Sequence, residues 1–369
     1  MHLHLNLKCL FIPFLFTLVL GSLTLITRGQ DSLETDLEKE KNAKIFPIPI
    51  AFYTPETGLG LGAGVTSVVK TKGGDFMPRK SQLTFGFAYT SLKQLLMYVP
   101  FSLYTFRQKM YLQGELGYFD YTFRYFGITN GTKRDSIEFY RANFPRVRIN
   151  AFAQIADGVF VGPRLVYDKF SFSTFNPEGR LRNMDVPGSE DHFVGTIGVG
   201  GIVDKRDNNL FPTSGYYGAL SIDQSINPDY KYTTLMMDFT KYFPWSNKGT
   251  FAINLFGQSL FGEAPFTAMP KLGGTKKLRG YFEGSILQEH IFAWQAEARR
   301  MVWKRLGFAA FFGAGNGFRP GETFHIKNTQ ISSGLGLRIR LTDQLNARLD
   351  YAIGMQNRSG FYITFGEAF

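Results

Sequence analysis

The feature that most constrains the fold is a regular alternation of apolar and polar residues, repeated in long segments from Lys44 almost to the C-terminus. In the segment from Ile331 to Leu341, isoleucine and leucine occupy most of one set of alternate positions, while glycine, serine and arginine occupy the other. Such alternation gives a β-strand one apolar and one polar face. Strands in soluble proteins are usually about five or six residues long, whereas a tilted membrane-spanning strand needs about nine to eleven. The pattern therefore predicts membrane-spanning strands.

The polar faces of these segments are rich in glycine, glutamine and arginine, which suits a water-filled interior. Backbone groups within a bilayer must all be hydrogen-bonded, so a membrane-spanning sheet has to close on itself. We therefore predict an all-β fold, a single transmembrane antiparallel β-barrel of about 16 strands over residues 45–369. After the N-terminus no apolar run of about 20 residues remains, which excludes a polytopic helical membrane protein. An aromatic content of 16% excludes a disordered chain.

The first 29 residues have the organisation of a secretory signal peptide. Lys8 precedes an apolar run from Cys9 to Ile26, and the small residue Gly29 stands near the expected cleavage point. An uncleaved anchor helix is the alternative interpretation of this run. We assign residues 1–29 to the signal peptide and residues 30–44 to a short polar tail in the periplasm. The only cysteine of the chain lies within the apolar run, so the mature chain would contain no disulfide.

The chain is basic, with a formal net charge of +11 that falls to +9 when the signal peptide removes Lys8 and Arg28. The charges are spread along the sequence rather than clustered. For an exported protein we expect anionic outer-membrane lipids, including lipopolysaccharide, as the counter-charge, and no nucleic acid as a partner. The alternative is that lysine and arginine line a water-filled interior and the loops. The expected location is the bacterial outer membrane, with the barrel as an integral protein.

Short stretches of glycine, proline, asparagine and serine separate the strands and mark turns. Two connections are longer, from Asn183 to Asp191 and from Gly262 to Gln288. In outer-membrane barrels the long loops lie outside the cell and the short turns lie in the periplasm. We therefore expect both long connections on the outside.

The last strand carries an aromatic signature. Phe361, Ile363 and Phe365 share one alternating face, and the chain ends at Phe369. A terminal aromatic residue on an apolar last strand is similar to the sorting signal of outer-membrane barrels, although Glu367 interrupts the alternation. We predict that Phe361, Ile363, Phe365 and Phe369 form a C-terminal sorting strand.

Three segments stand out from the alternating background: residues 204–215, residues 273–281 and residues 334–351. Together with the turn from Pro55 to Gly58, they resemble the BamA/TamA superfamily of outer-membrane barrels, also called the bacterial surface antigen family. The resemblance covers residues 45–369. The residues that match the family's motifs are Asp204, Arg206, Asp207, Pro212 and Gly215 in a turn, and Leu278, Arg279, Gly280 and Tyr281 in the longest late loop.

Arg279 is the candidate site residue with the clearest chemistry. An arginine in a long loop can fold back into a barrel, and its planar guanidinium can make two hydrogen bonds to carboxylates on the wall. The resemblance implies that this contact holds the loop inside the lumen, with Glu297 as the first partner and Asp350 as the second. An exposed loop arginine without a fixed partner is the alternative. Many family members also carry an aspartate where this chain reads Phe-Phe-Gly-Ala-Gly over residues 311–315, so that carboxylate is absent.

The resemblance implies a role in inserting or translocating proteins or lipids at the outer membrane. Only about 15 residues separate the expected cleavage point from Ile45, which is too short for a POTRA domain of about 75 residues, so we expect a member without POTRA domains. The seam between the first and last strands could instead mediate homodimerisation, or docking of a separate periplasmic partner that supplies the missing domains. Pro47 and Pro49 in the first strand remove ladder donors, which favours a weak seam between the first and last strands. The alternative function is a passive, anion-favouring pore or a structural surface barrel.

The residues do not favour an enzyme. His192, His290 and His325 lie far apart without the spacing of metal ligands. No Gly-x-Ser-x-Gly elbow, phosphate loop or dinucleotide fingerprint is present. A serine–histidine pair inside the barrel is the remaining enzymatic alternative. We expect no catalytic activity, no metal and no cofactor.

Overall fold

The computed structural model describes residues 43–70, 80–128, 137–174, 179–183, 186–209, 211–322, 325–341 and 346–369. In this part of the chain, 16 antiparallel strands form a closed barrel in which neighbours along the chain are neighbours in the sheet. The predicted all-β barrel and its strand count are therefore confirmed. The predicted signal peptide, residues 1–29, lies outside the described residues, as does most of the predicted polar tail.

The wall consists of the following strands: β1 (Ala43–Thr54), β2 (Gly58–Lys70), β3 (Lys80–Thr90), β4 (Leu95–Thr105), β5 (Met110–Tyr125), β6 (Glu138–Ala156), β7 (Val159–Thr174), β8 (His192–Asp204), β9 (Gly215–Ser225), β10 (Tyr232–Ser246), β11 (Gly249–Gly262), β14 (His290–Met301), β15 (Leu306–Phe318), β16 (Gln330–Arg340), β17 (Asn346–Gly354) and β18 (Ser359–Phe365). A small hairpin of β12 (Lys271–Leu272) and β13 (Ile286–Leu287) interrupts the connection between β11 and β14.

Helical structure is confined to the connections. One short α-helix, α1 (Arg180–Asn183), and two 3-10 turns, Phe266–Ala268 and Ile326–Asn328, are present in the described segments. None of these helices is long and apolar enough to cross a membrane.

The alternation of the sequence corresponds to the two faces of the wall. On β14, Phe292 and Trp294 point outward, whereas Gln295 and Glu297 are buried inside. On β16, Leu335 is 70% exposed on the outer face and Arg338 is 1% exposed on the inner face. A barrel in lipid needs this arrangement, because apolar side chains meet the hydrocarbon and polar side chains line the lumen.

The strand order defines two ends of the barrel. The end at which β1 begins and β18 stops carries mostly short connections, and we call it the turn end. The opposite end carries both long connections, between β7 and β8 and between β11 and β14, and we call it the loop end. The barrel begins two residues earlier than residue 45, because Ala43 and Lys44 already pair with Val69 and Val68 of β2.

The contact between the first and last strands differs from the other contacts in the wall. β1 pairs with β2 along its whole length, but it pairs with β18 only where Tyr53 lies opposite Ile363. In that register the two strands overlap only near Ala51–Thr54, because β18 stops at Phe365 and β1 continues back to Ala43. The Tyr53 and Phe361 rings also contact each other, with 5.8 Å between their centroids. We call this junction the seam.

The C-terminal residues differ from the prediction at one position. Phe361 and Phe365 face outward on β18, as expected for a sorting strand. Phe369 lies beyond the end of the strand and lines an internal cavity with Arg206 and Lys276. The reason is a reversal of the backbone at Gly366, whose φ is +72°, so the parity of the strand does not continue to the terminus.

The orientation of the outer face generates a prediction. We expect Leu335→Arg to lower the free energy of unfolding by about 2–4 kcal/mol, because Leu335 lies at the middle of β16 and a charged side chain there would face the centre of the bilayer. The measurement is a urea titration of the barrel refolded into lipid vesicles. Leu335→Ile is the matched control and should stay close to the parent protein. Equal stability of the arginine and isoleucine variants would contradict the outward assignment.

Candidate functional site

The connection between β11 and β14, residues 263–289, folds into the barrel, and we call it the lumen loop. Its apolar side chains pack against the inner wall near Phe256 and Ala293. Leu272, Leu278 and Ile286 of the loop are fully buried there. The loop is therefore a packed part of the interior.

Glycine allows the lumen loop to make its sharp turns. Gly273 has a φ of +112°, and a Cβ at this position would collide with the carbonyl oxygen of Phe282. Gly280 has a φ of +100°, and a Cβ there would lie 3.1 Å from the carbonyl carbon of Ile353 on β17. Only glycine adopts such angles without strain and leaves the space for close approach. Gly280 thus brings the tip of the loop against the wall.

Arg279 lies between two wall carboxylates. Its Nη2 donates to Glu297 on β14 at 2.7 Å, and its Nη1 donates to Asp350 on β17 at 2.5 Å. The guanidinium carbon is 3.5 Å from the centroid of the Phe311 ring on β15. The side chain is 0% exposed. The structure therefore brings together the arginine and both carboxylates that the sequence singled out.

A second arginine binds the same two carboxylates. Arg338 on β16 donates through Nη2 to Glu297 at 3.0 Å and through Nη1 to Asp350 at 2.6 Å. Each carboxylate thus uses one oxygen for Arg279 and the other for Arg338. The Nε of Arg338 donates to Glu367 at 2.9 Å. Charge-assisted hydrogen bonds of this kind are roughly twice as strong as neutral ones.

Two more arginines surround this centre. Nη1 of Arg299 lies 3.2 Å from Oε2 of Glu367, and Nε of Arg348 lies 3.4 Å from Oδ2 of Asp350. Within the described residues the group therefore joins four arginines to three carboxylates, and we call it the arginine cluster; its members are Arg279, Arg299, Arg338, Arg348, Glu297, Asp350 and Glu367. The cluster carries a formal excess of one positive charge. The segment that lacks the family's aspartate contributes the Phe311 ring face to Arg279 instead of a carboxylate.

The sequence analysis singled out three of the seven members of the cluster and missed the other four, which are Arg299, Arg338, Arg348 and Glu367. Arg338 was recognised only as part of the third motif, although its position on the polar face of β16 was a usable signal. Glu367 was interpreted as an interruption of the last strand, whereas its side chain turns into the lumen and binds Arg338 and Asn346. Gly366 immediately before it is the feature that could have indicated the turn.

The rest of the loop motif is held by neutral hydrogen bonds. The Gly280 N–H donates to the Tyr362 hydroxyl at 2.9 Å on β18. The Tyr281 hydroxyl donates to the Ile331 carbonyl and accepts from the Met355 N–H, both at 2.8 Å. The Leu278 N–H donates to the Gln295 side chain at 3.2 Å. Leu278, Arg279, Gly280 and Tyr281 therefore each contact the wall between β14 and β18.

The turn motif lies at the turn end, between β8 and β9. Arg206 donates two hydrogen bonds to the Asp204 carboxylate, at 2.9 and 2.7 Å. Its guanidinium carbon lies 4.6 Å from the centroid of the Tyr217 ring on β9. Asp207 accepts hydrogen bonds from the backbone N–H groups of residues 213 and 214, which closes the turn. Gly215 has a φ of +93°, and a Cβ there would collide with the backbone of Lys205. The Pro212 carbonyl accepts from Nη2 of Arg299 at 2.9 Å, which connects this turn to the arginine cluster.

At the loop end the lumen loop contacts the turn between β1 and β2. The Glu283 N–H donates to the Glu56 carboxylate at 3.0 Å. The Lys271 ammonium lies 3.0 Å from the Glu283 carboxylate and lowers its pKa. Burial raises the pKa of Glu56. The loop thus reaches the first hairpin of the barrel as well as the last strands.

The three histidines lie in separate places. Nδ1 of His192 donates to the Glu190 carbonyl at 2.7 Å, and Nε2 of the same ring is hydrogen-bonded to the Thr267 hydroxyl at 2.6 Å. His290 packs between the rings of Phe261 and Phe318. Across the described segments, no three histidine, cysteine or acidic side chains are grouped as metal ligands.

Comparison with known proteins places the chain in a family. The Omp85 superfamily domain matches residues 60–369. The barrel is similar to that of BamA from Haemophilus ducreyi lacking POTRA domains 1–3, with a TM-score of 0.62 and 14% identity over 89% of this chain and 70% of that chain. It is also similar to CdiB from Acinetobacter baumannii, with a TM-score of 0.57 and 12% identity over 89% of this chain and 60% of that chain. At these identities the structural likeness shows a shared fold.

The fold and the family match define an integral outer-membrane β-barrel. The chain belongs to the Omp85 superfamily. The resemblance to BamA/TamA-type barrels that the motifs indicated is therefore confirmed. No protein of curated function matches the sequence.

The buried position of Arg279 generates a prediction. We expect Arg279→Ala to lower the free energy of unfolding by about 3–5 kcal/mol, because it removes a fully buried guanidinium from two carboxylates that stay in place. The measurement is a urea titration followed by the change in gel mobility between folded and heat-denatured barrel.

The control for this prediction removes another cation of the same loop. Lys271 pairs with Glu283 near the surface, with both side chains about half exposed, so Lys271→Ala should cost at most about 1 kcal/mol. Equal losses in the two variants would show that the buried contact has no special weight.

Proposed function

We propose that this protein inserts or translocates proteins or lipids at the outer membrane through the seam between β1 and β18. The observation that carries the proposal is the single paired position, Tyr53 opposite Ile363, at one junction of a wall in which every other junction pairs at six or more positions. An incompletely paired strand edge is a template for another strand. The family relationship supports a role of this class.

The composition of β1 supports the same use of the seam. Pro47 and Pro49 lie in the part of β1 that extends past the end of β18. Proline is tolerated in edge strands because its missing N–H can face away from the neighbouring strand. Both prolines have the same parity, so they remove donors from the same side of β1. The ladder to β2 is continuous through both positions, which leaves the free side as the weaker one.

The lumen loop fills part of the barrel interior, which favours a role for the wall of the barrel over transport through the lumen. Arg279 binds one carboxylate on β14 and another on β17, and Gly280 binds Tyr362 on β18. We propose that this set of contacts acts as a lock that keeps the loop inside the lumen. The lock also fixes β17 and β18 to the interior, so opening the seam would displace β1 rather than β18.

The proposal includes the surroundings of the barrel. The bilayer supplies anionic lipids, lipopolysaccharide among them, as contacts of the outer wall. A separate periplasmic partner or a second copy of the chain would bind at the turn end, which we place on the periplasmic side. The proposed role needs no catalytic residue, metal or cofactor.

The seam can be tested by closing it with a disulfide. The only natural cysteine is Cys9, so a double variant Tyr53→Cys and Ile363→Cys gives a defined cross-link in the mature chain. Oxidation should reproduce the effect of deleting the gene, namely a selective loss of other outer-membrane barrels measured by quantitative mass spectrometry. Reduction should restore the parent pattern.

The matched control joins β18 to its other neighbour. Leu349 lies opposite Ile363 on β17, where the two strands are paired throughout, so Leu349→Cys with Ile363→Cys should leave the outer-membrane proteins unchanged. An unchanged protein set after gene deletion would contradict the insertion of protein clients. An equal effect of the two cross-links would contradict a special role of the seam.

A passive, anion-favouring pore is the second candidate, and the excess positive charge of the arginine cluster is the observation that favours it. Conductance in a planar bilayer separates the two functions. If the loop plugs the lumen, the parent protein conducts little and Arg279→Ala conducts more. A large, steady anion current that is the same in the parent and in Arg279→Ala would favour the pore.

A further inference from the structure

We propose that a cavity at the turn end binds the phosphate group of an anionic ligand, independently of the seam. The cavity has a volume of about 360 Å³. Strands β14 and β16 and the turns that precede β9 and β11 form its wall, and we call it the cationic cavity. The residues that line it include Phe211, Trp245, Lys248, Arg299 and Arg340.

The cavity is rich in positive charge that the arginine cluster does not neutralise. Arg338, which also borders it, uses its nitrogens on the three carboxylates of the cluster. Arg299, Arg300, Arg340 and Lys248 also line the cavity, and no acidic side chain of the described residues does so. Of these four cations, Arg299 lies near one carboxylate, that of Glu367. The arginine cluster beside the cavity also carries a formal excess of one cation. An anion is the ligand that this charge selects.

Arg299 has hydrogen-bonding capacity that the protein leaves unused. The side chain is 4% exposed, and only its Nη2 makes a hydrogen bond, to the Pro212 carbonyl at 2.9 Å. Its Nη1 lies 3.2 Å from Glu367 without hydrogen-bond geometry, and its Nε has no partner in the described part of the chain. Buried polar atoms are rarely left unpaired. An oxyanion in the cavity would supply acceptors.

Arg340 is a second arginine of the cavity and lies beside the same aromatic ring as Arg299. Its guanidinium carbon lies 5.4 Å from the centroid of the Phe211 ring, and that of Arg299 lies 5.7 Å from the same centroid. The Nε of Arg340 is buried and has no acceptor among the residues that the structure describes. Two guanidinium groups beside one ring repel each other, and an anion between them would offset that repulsion. Phe211 is the shared neighbour of the two arginines that we propose bind the phosphate.

The chemistry favours a phosphate over a carboxylate. A phosphate monoester offers three oxygens and nearly two negative charges, which can serve two guanidinium groups and the ammonium of Lys248 together. Trp245, at the mouth of the cavity, is 52% exposed and offers an apolar surface to whatever carries the phosphate. A lipid headgroup and free inorganic phosphate present the same group, so both are used as probes.

Isothermal titration calorimetry of the purified protein in an uncharged detergent tests the proposal. The probes are inorganic phosphate and dioctanoyl phosphatidic acid, with dioctanoylglycerol as the uncharged lipid. We expect saturable binding that Arg299→Gln and Arg340→Gln each weaken by at least about tenfold. Because Arg299 also pairs with Glu367, Arg340→Gln provides the test if Arg299→Gln does not fold.

The matched control is Arg305→Gln. Arg305 is exposed in the turn between β14 and β15, at the same end of the barrel, and it does not line the cavity. This variant removes the same charge and should bind like the parent protein. Binding of both phosphate probes assigns the site to the phosphate group itself, and binding of phosphatidic acid alone assigns it to a lipid headgroup. The proposal is overturned if neither probe binds at about 10 mM, or if Arg305→Gln loses as much affinity as Arg340→Gln.

Discussion

The interior of this barrel depends on two arginines that share two carboxylates. Arg279 comes from the lumen loop and Arg338 from the wall, yet both bind Glu297 and Asp350. Buried charges lose their hydration, and only good geometry with further hydrogen bonds offsets that loss. Here each carboxylate oxygen has its own guanidinium. Removal of the loop would leave carboxylates that Arg338 alone cannot fully satisfy, so the wall and the loop stabilise each other.

The same contacts give the two sides of the seam different support. β17 and β18 are bound to the lumen loop through Asp350 and Tyr362. The hydrogen bond between the lumen loop and the first hairpin lies at the loop end, where the Glu283 N–H donates to Glu56. The turn-end half of β1 has the ladder to β2 as its backbone support among the described strands. The described contacts therefore connect the lumen loop to the C-terminal side of the seam at two strands, and to the first hairpin at its turn.

Sequence reasoning succeeded where one physical rule dominated. Lipid outside and water inside impose a period of two, so the outward Leu335 and the inward Glu297 were predictable from alternation. It failed where a strand stops. The alternation led us to include Phe369 in the sorting strand and to treat Glu367 as an interruption. The backbone turns at Gly366, whose φ is positive, and both side chains then lie in the interior. Arg338 and Glu297 lie on β16 and β14, which flank β15 in the wall. Their pairing depends on the register of both strands against β15, which no local pattern encodes.

The balance of cations and acids in the cluster has a consequence for the whole turn end. Phe311 gives Arg279 a ring face, which attracts a cation but adds no charge. The cluster then holds more cations than acids, and Glu367 must serve both Arg338 and Arg299. Arg299 is left with free donors next to Arg340, at the mouth where the β8–β9 turn ends. The excess of cations over acids in the cluster thus continues to the turn end, where Arg299 and Arg340 border a cavity that no acidic side chain of the described residues lines.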